Sequence, residues 1–182
     1  MQNALEQLKN DLLNTGFDRC AIVTKDILQI ENVDEVRNMC KVNYCGRYGK
    51  TWSCPPACGE IEQCANKVRS YSHGVLVQKV YALEDSYDFE SAQEGQKDFT
   101  ERFCAFATEL RKEYPDLLAL GAGTCSKCDK CTYPDSPCRY PDTLFYSMES
   151  HGILVSTMCK QCGVPYISGQ NTVTYTGVFL IK

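Results

Sequence analysis

Histidine is nearly missing from this 182-residue chain, which has only His73 and His151. That removes histidine-rich metal sites and leaves little support for Ser-His or Cys-His catalysis. Long apolar runs are missing too. None approaches the roughly 18 residues that a membrane span needs, so no membrane partner is expected. The opening stretch MQNALEQLKNDLLNTG has no basic region followed by an apolar block. It does not read as a secretory signal, and a cytoplasmic location is expected. An excess of positive charge is also absent: the formal net charge is −4 and the pI about 5.2, with the basic residues scattered. Nucleic acid is therefore not an expected partner. Low-complexity linkers and repeats of constant period are absent as well.

What the chain has in abundance is cysteine, 13 in all. Without a secretory signal a disulfide framework is disfavoured, because cytosolic thiols are kept reduced. The remaining use for so many thiolates is metal. Acidic residues concentrate between Val80 and Asp116, where ten face only Lys97, Arg102, Arg111 and Lys112. This segment reads as a solvated helix face.

Apolar periodicity predicts a helix through Ala4, Leu5, Leu8, Leu12 and Leu13, stopped at Asn14-Thr15-Gly16. Short strands follow at Arg19 to Val23, Gly74 to Val80 and Leu117 to Leu120, and a last one runs from Thr172 to Ile181. Gly177 inside that last strand suggests a bulge. Helices are expected from Glu60 to Ser70, along the stripe Phe99, Phe103, Phe106, Ala107 and Leu110, near Ser147 to Ser150, and around Ser156 to Cys162. The expected fold is α/β or α+β: one domain over residues 1–182, a small mixed sheet flanked by helices, and two cysteine-rich loops at 40–58 and 125–138.

The second loop carries the sharper signal. Cys125, Cys128 and Cys131 form a C-x2-C-x2-C run, followed by Cys138-Arg139-Tyr140-Pro141. This is the run by which bacterial-type ferredoxins hold iron–sulfur clusters, with a fourth cysteine near a proline. A tetrahedral zinc more often takes two pairs of cysteines from separate loops. The first loop offers Cys40, Cys45, Cys54 and Cys58, spaced by four, eight and three residues, with Cys54 opening a Cys-Pro-Pro turn. A second [4Fe-4S] cluster is the preferred occupant, and a zinc held by four thiolates remains the alternative there. Cys64 competes with Cys58 for the fourth place, although its position on an apolar helical stripe reads as core. Cys20 and Cys104 also read as core. Cys159 and Cys162 form a C-x-x-C pair with no second half nearby.

Several other residues stand beside these cysteines. Arg47 and Trp52 fall between presumed ligands of the first loop, and Arg139 follows Cys138; they are candidates for tuning a cluster or contacting a substrate. Glu149 and His151 are candidates for a polar site beside the second cluster, while Ser147 reads more simply as a helix cap. No catalytic residue can be assigned from the sequence.

The combination Cys45-Gly-Arg-Tyr-Gly-Lys-Thr-Trp-Ser-Cys54-Pro-Pro, Cys125-x2-Cys128-x2-Cys131, Pro137-Cys138-Arg139-Tyr140-Pro141 and Ser147-Met-Glu-Ser-His-Gly152 resembles the predicted metal-binding proteins of domain-of-unknown-function family 2284. The resemblance spans nearly the whole chain. It implies cytoplasmic iron–sulfur or metal chemistry of the kind found in anaerobic bacteria and archaea, and names no substrate. The Cys159/Cys162 pair falls outside the pattern. Three functions stay open at this point. One is a two-cluster protein that passes electrons to a redox partner. The second is an iron–sulfur enzyme with an open iron site for a small molecule, and the third is a zinc-stabilised binding module.

Overall fold

Alternation of side chains along two ten-residue strands organises the molecule. The computed structural model describes residues 2–182, without the side chain of Gln2. Strands β1 (Arg19–Val23), β2 (His73–Ala82), β3 (Leu118–Gly121), β4 (Tyr146–Ser147) and β5 (Thr172–Ile181) form one sheet in the order β1-β2-β5-β3-β4. β2 and β5 pair antiparallel over their full length, from His73 opposite Ile181 to Ala82 opposite Thr172. β1 and β3 add to this spine antiparallel, and only the β3–β4 pair is parallel.

Because successive residues point to opposite faces, each strand feeds two cores. Val75, Val77, Phe179 and Ile181 meet Leu5, Leu8 and Leu12 of α1 (Gln2–Asn14) and Phe99, Phe103 and Ala107 of α4 (Phe89–Glu113). Leu76, Val178, Leu180, Leu118 and Leu120 turn the other way. There they pack on Val68 of α3 (Ile61–Arg69) and on Val155, Met158 and Cys159 of α5 (Val155–Gln161). The chain is thus a single domain of α/β type, with five α-helices and a five-stranded mixed sheet among the described residues. Among the described residues no helix is long and apolar enough to cross a membrane.

One helix has no counterpart in the periodicity argument: α2 (Val33–Val42), which carries Cys40 in its last turn. Its inward stripe is Val33, Val36, Arg37 and Cys40, at i, i+3, i+4 and i+7, of which Val33, Val36 and Arg37 are buried. Half of that stripe is polar or a candidate ligand, so hydrophobicity alone does not reveal it. Asp34 and Glu35 in the first turn and Lys41 in the last suit the helix dipole. The first cysteine segment is therefore a helix end followed by a loop. α4 also begins well before its aromatic stripe. Asp88 caps it by accepting from the Ser91 N–H at 3.0 Å, and its first turns lie on tyrosines, with the Tyr175 hydroxyl donating to the Ala92 carbonyl at 2.6 Å.

Gly177 does not mark a bulge. It pairs in register with Val77 on one side and Gly121 on the other. A Cβ there would run into the Phe103 ring, which stacks on Phe179 with 4.5 Å between centroids. The glycine clears space for an aromatic ring rather than bending the strand. Gly177→Ala is accordingly expected to cost about 1–3 kcal/mol by overpacking. Thermal unfolding should show this as about 2–4 °C in Tm per kcal/mol, and an unchanged Tm would contradict the explanation.

Candidate metal centre

The segment Thr51–Cys54 lies between the two cysteine loops, and its hydroxyls fasten it there. Thr51, Ser53 and Thr124 are all buried, and their hydroxyl groups form a triangle of hydrogen bonds at 3.1–3.3 Å. Ser53 Oγ also accepts the Cys125 N–H at 3.1 Å and lies 3.7 Å from Cys54 Sγ. The Ser53 carbonyl takes the N–H of Ser147 at 2.9 Å, which ties the first loop to the sheet edge at β4.

The four cysteines of the second loop come together. Cys125, Cys128, Cys131 and Cys138 line one small cavity of about 30 Å³, walled also by Trp52 and Tyr140. That volume is room for one water-sized body. A larger occupant needs the walls to spread, and residues 125–140 contain neither helix nor strand to resist it. The donor set fits a thiolate-bound metal group. Burial pushes the Cys125 thiol up to about 11, so binding must displace its proton. Trp52, placed by the sequence within the first loop, serves the second: its indole N–H donates to Thr132 Oγ1 at 3.3 Å and to the Ser136 carbonyl at 3.2 Å, and its ring meets Tyr133 edge-on. Arg139 is exposed and donates to the Lys130 carbonyl at 2.8 Å, closing the same loop.

The first set divides into two neighbouring groups. Cys45 and Cys54 lie near enough to Cys40 to act on its thiol, and burial, followed by the Glu149 carboxylate, pushes Cys40 up to about 11. Cys58 sits instead against Cys64. The Cys64 thiol donates to the Cys58 carbonyl at 3.3 Å, and contact with Cys58 lowers the Cys64 pKa to about 7 while the same contact and burial raise Cys58. Cys64 is buried, as a core residue would be, yet it faces a candidate ligand. Among the described residues, no three Cys, His, Asp or Glu side chains converge tightly enough to hold a single metal ion.

Glu149 and His151 belong beside the first group rather than the second loop's cavity. The Glu149 carboxylate accepts the Gly123 N–H at 3.2 Å, and burial raises its pKa. His151 is buried with Nδ1 3.0 Å from Ser150 Oγ, its ring tilted on Tyr146. Ser147 Oγ accepts the Ser150 N–H at 3.0 Å, so it caps the 3-10 turn Glu149–His151. Arg47 is exposed, and among the described residues no hydrogen bond or ion pair holds its guanidinium to the site. One residue of this region had no signal in the sequence: Arg37, 7% exposed, which donates to the carbonyls of Gly59 and Ser150 and lies 3.8 Å from Cys58 Sγ. The i, i+3, i+4, i+7 stripe of α2 could have found it had an arginine been admitted to a buried face.

The remaining cysteines are core. Cys104 is buried with its thiol donating to the Thr143 carbonyl at 3.3 Å. Cys159 is fully buried with the Gln78 amide 3.6 Å from its sulfur, and burial pushes Cys162 up to about 12. Cys20 packs at the margin of the α1–α4 core, where burial likewise pushes it up to about 12.

A family model described as predicted metal-binding protein, DUF2284, matches residues 21–181. The chain belongs to that family. The matched span holds both cysteine segments and every cysteine except Cys20. No curated protein and no solved structure gives a match to the chain. A DUF2284 protein is thus a predicted metal-binding protein, and this one supplies thirteen thiols, four of them around one cavity.

Two outcomes follow from this geometry. Trp52→Phe keeps an aromatic ring and removes the indole donor, so the second loop should loosen by about 0.5–1.5 kcal/mol. Trypsin should then cut at Lys127, Lys130 or Arg139 several-fold faster; unchanged cutting would show that the indole N–H does not hold the loop. His151 gives a pH dependence. Burial lowers its pKa from 6.5 to about 4, so below pH 6.5 the unfolded chain takes up a proton that the folded chain refuses. Stability is complete above that pH and falls by about 3 kcal/mol as pH drops toward 4. Urea unfolding of the wild type and His151→Gln should differ in slope over this window and run parallel above it.

Proposed function

We propose that this DUF2284 protein carries one [4Fe-4S] cluster on each cysteine loop and passes single electrons in anaerobic redox metabolism. The observation that supports this most is the Ser53 junction. One fully buried hydroxyl lies beside the sulfur of Cys54 and accepts the backbone N–H of Cys125, so a candidate ligand of each loop meets the same side chain. Two structural metal ions could sit apart without loss of function. Two redox centres gain from a short bonded path, because electron transfer weakens steeply with distance.

When bound, such clusters supply one-electron chemistry at potentials set by hydrogen bonds to sulfur, charge and exposure. The protein's own residues provide those controls. Trp52 holds and covers the second loop, and the Lys127 ammonium, 4.9 Å from the centre of the Tyr140 ring, brings positive charge to the cavity wall. The four cysteines that line the second loop's cavity leave no iron corner there for a substrate, which favours electron carriage over an open-site enzyme at that loop. Met39, Val42 and Tyr44 are exposed around Cys40 and Cys45. An apolar surface there would bring a redox partner protein within reach of the first centre.

Anaerobic metal and sulfide analysis tests the reading directly. About eight iron and eight sulfide per chain are expected, with two reducible paramagnetic signals that broaden or split one another when both centres are reduced. Ser53→Ala should keep the iron and slow equilibration between the centres. A colourless protein with stoichiometric zinc would replace this function with that of a zinc-stabilised binding module.

A further inference from the structure

Arg37 is a buried cation without an anion. The residue is 7% exposed, and it comes from the inward stripe of α2 beside Cys40. One terminal nitrogen donates to the Gly59 carbonyl at 3.0 Å, and the other to the Ser150 carbonyl at 3.0 Å, with Cys58 Sγ at 3.8 Å. Nε is buried and has no partner. Among the described residues no Asp or Glu lies within ion-pair distance of it. Carbonyl dipoles ease the burial of a full charge only in part, and the remaining cost stands unless an opposite charge is near. The planar guanidinium is fixed by three segments at once: α2, the turn at Gly59 and the 3-10 turn at Ser150. The groups around it that can carry negative charge are the sulfurs and, beyond ion-pair distance, the Glu149 carboxylate, which acts on Cys40 and accepts the Gly123 N–H instead. Its charge acts on Cys40, Cys58 and Cys64 together.

We propose that Arg37 is the counter-cation of the first metal centre, held in the interior to balance the negative charge of a thiolate-bound group on Cys40, Cys45, Cys54 and Cys58. This rests on reading the first loop as a metal centre. Arg37 touches the ligand sulfur rather than the metal, so it acts as a positioning and charge-balancing residue. Two consequences follow. Loading and local order are linked, because the loaded centre relieves a cost that the empty loop leaves standing. Adding an electron is also easier beside a fixed positive charge, so the first centre has a higher reduction potential than it would beside a neutral side chain.

The experiment compares wild type, Arg37→Gln, Arg37→Lys and Cys45→Ser, all purified anaerobically, by metal and sulfide content and by a potential titration followed by paramagnetic resonance. Arg37→Gln is expected either to lose about half of the bound iron or to keep it with one centre shifted at least tenfold against reduction, about 59 mV for one electron. The second centre should not move. Arg37→Lys keeps the charge, so full loading with less than a tenfold shift is expected, and this variant decides the matter if the glutamine variant does not fold. Full loading and unmoved potentials in Arg37→Gln overturn the inference alone, as does a first centre lost or shifted tenfold in Arg37→Lys. Metal content unchanged by Cys45→Ser overturns the reading of the first loop, and the inference with it.

Discussion

The buried Ser53 side chain and its carbonyl decide where everything else in the site can stand. Through its carbonyl the first cysteine loop is bonded to β4 at the edge of the sheet, and through its hydroxyl to the backbone of Cys125 in the second loop. A fully buried hydroxyl left without partners would cost about 1–3 kcal/mol. The triangle with Thr51 and Thr124 removes that cost and makes the arrangement specific, since no apolar residue of similar size could hold three segments by direction. Two loops 71 residues apart at this contact thereby become one region of the protein. The sheet supplies the rigid side of the joint: β3 runs straight into Gly121-Ala122-Gly123, where Gly123 meets Glu149, and then into Thr124 and Cys125. The candidate metal-binding region is thus mounted at one end of β3, and the second loop has no regular structure of its own.

Much of the fold could be read because alternation and helical spacing are strong where both neighbours are apolar. β1 and β5 fall on the residues expected from the sequence, Arg19–Val23 and Thr172–Ile181. Reading fails where a buried position has a polar occupant with a purpose. α2 was invisible because Arg37 and Cys40 occupy half of its inner stripe. Gly177 looked like an interruption because a sequence does not show that Phe103 needs the space. For the site, the cysteines of the second loop were legible as a group, since three of them are neighbours along the chain and the fold only has to close one turn. Trp52 was not, because its partners Thr132 and Ser136 lie 80 and 84 residues away. Glu149 and His151 stand out in the sequence as polar residues near the cysteines, but only the packing of the 3-10 turn against α2 and α3 shows that the first set is the one beside them.

The thirteen cysteines are distinguished by what surrounds them rather than by exposure alone. Cys20, Cys104, Cys159 and Cys162 meet aliphatic and aromatic neighbours, and burial raises the pKa of each. They stay protonated and behave as small apolar residues. Cys40 and Cys125 are raised as well, yet Cys40 stands near Cys45, Cys54 and Glu149, and Cys125, at the edge of the core, stands near Cys128 and Cys138 with its N–H on Ser53. That environment disfavours an isolated thiolate and suits one bound to a cation, where charge is cancelled within bonding distance. A raised pKa in a polar loop crowded with sulfur therefore has a different meaning from the same shift in the core: it describes a site whose protons are held until something of positive charge takes their place.

Such a site faces a charge problem that the rest of the chain does not solve. The protein is acidic overall, at −4, so no general positive field offsets a group of bound thiolates. Compensation has to be local, and the two loops arrange it in different ways. At the second loop the cation is Lys127, within the loop and near solvent, where water screens much of its effect. At the first, it is Arg37 in the interior, where screening is weak and the effect of one charge is correspondingly larger. Two cysteine sets of the same ligand type would then differ in their preference for an electron because of where a single cation is placed. Under the proposed electron-carrying function, a pair of centres that differ in this way would give an electron a direction, which two identical centres joined by the same hydroxyl could not do.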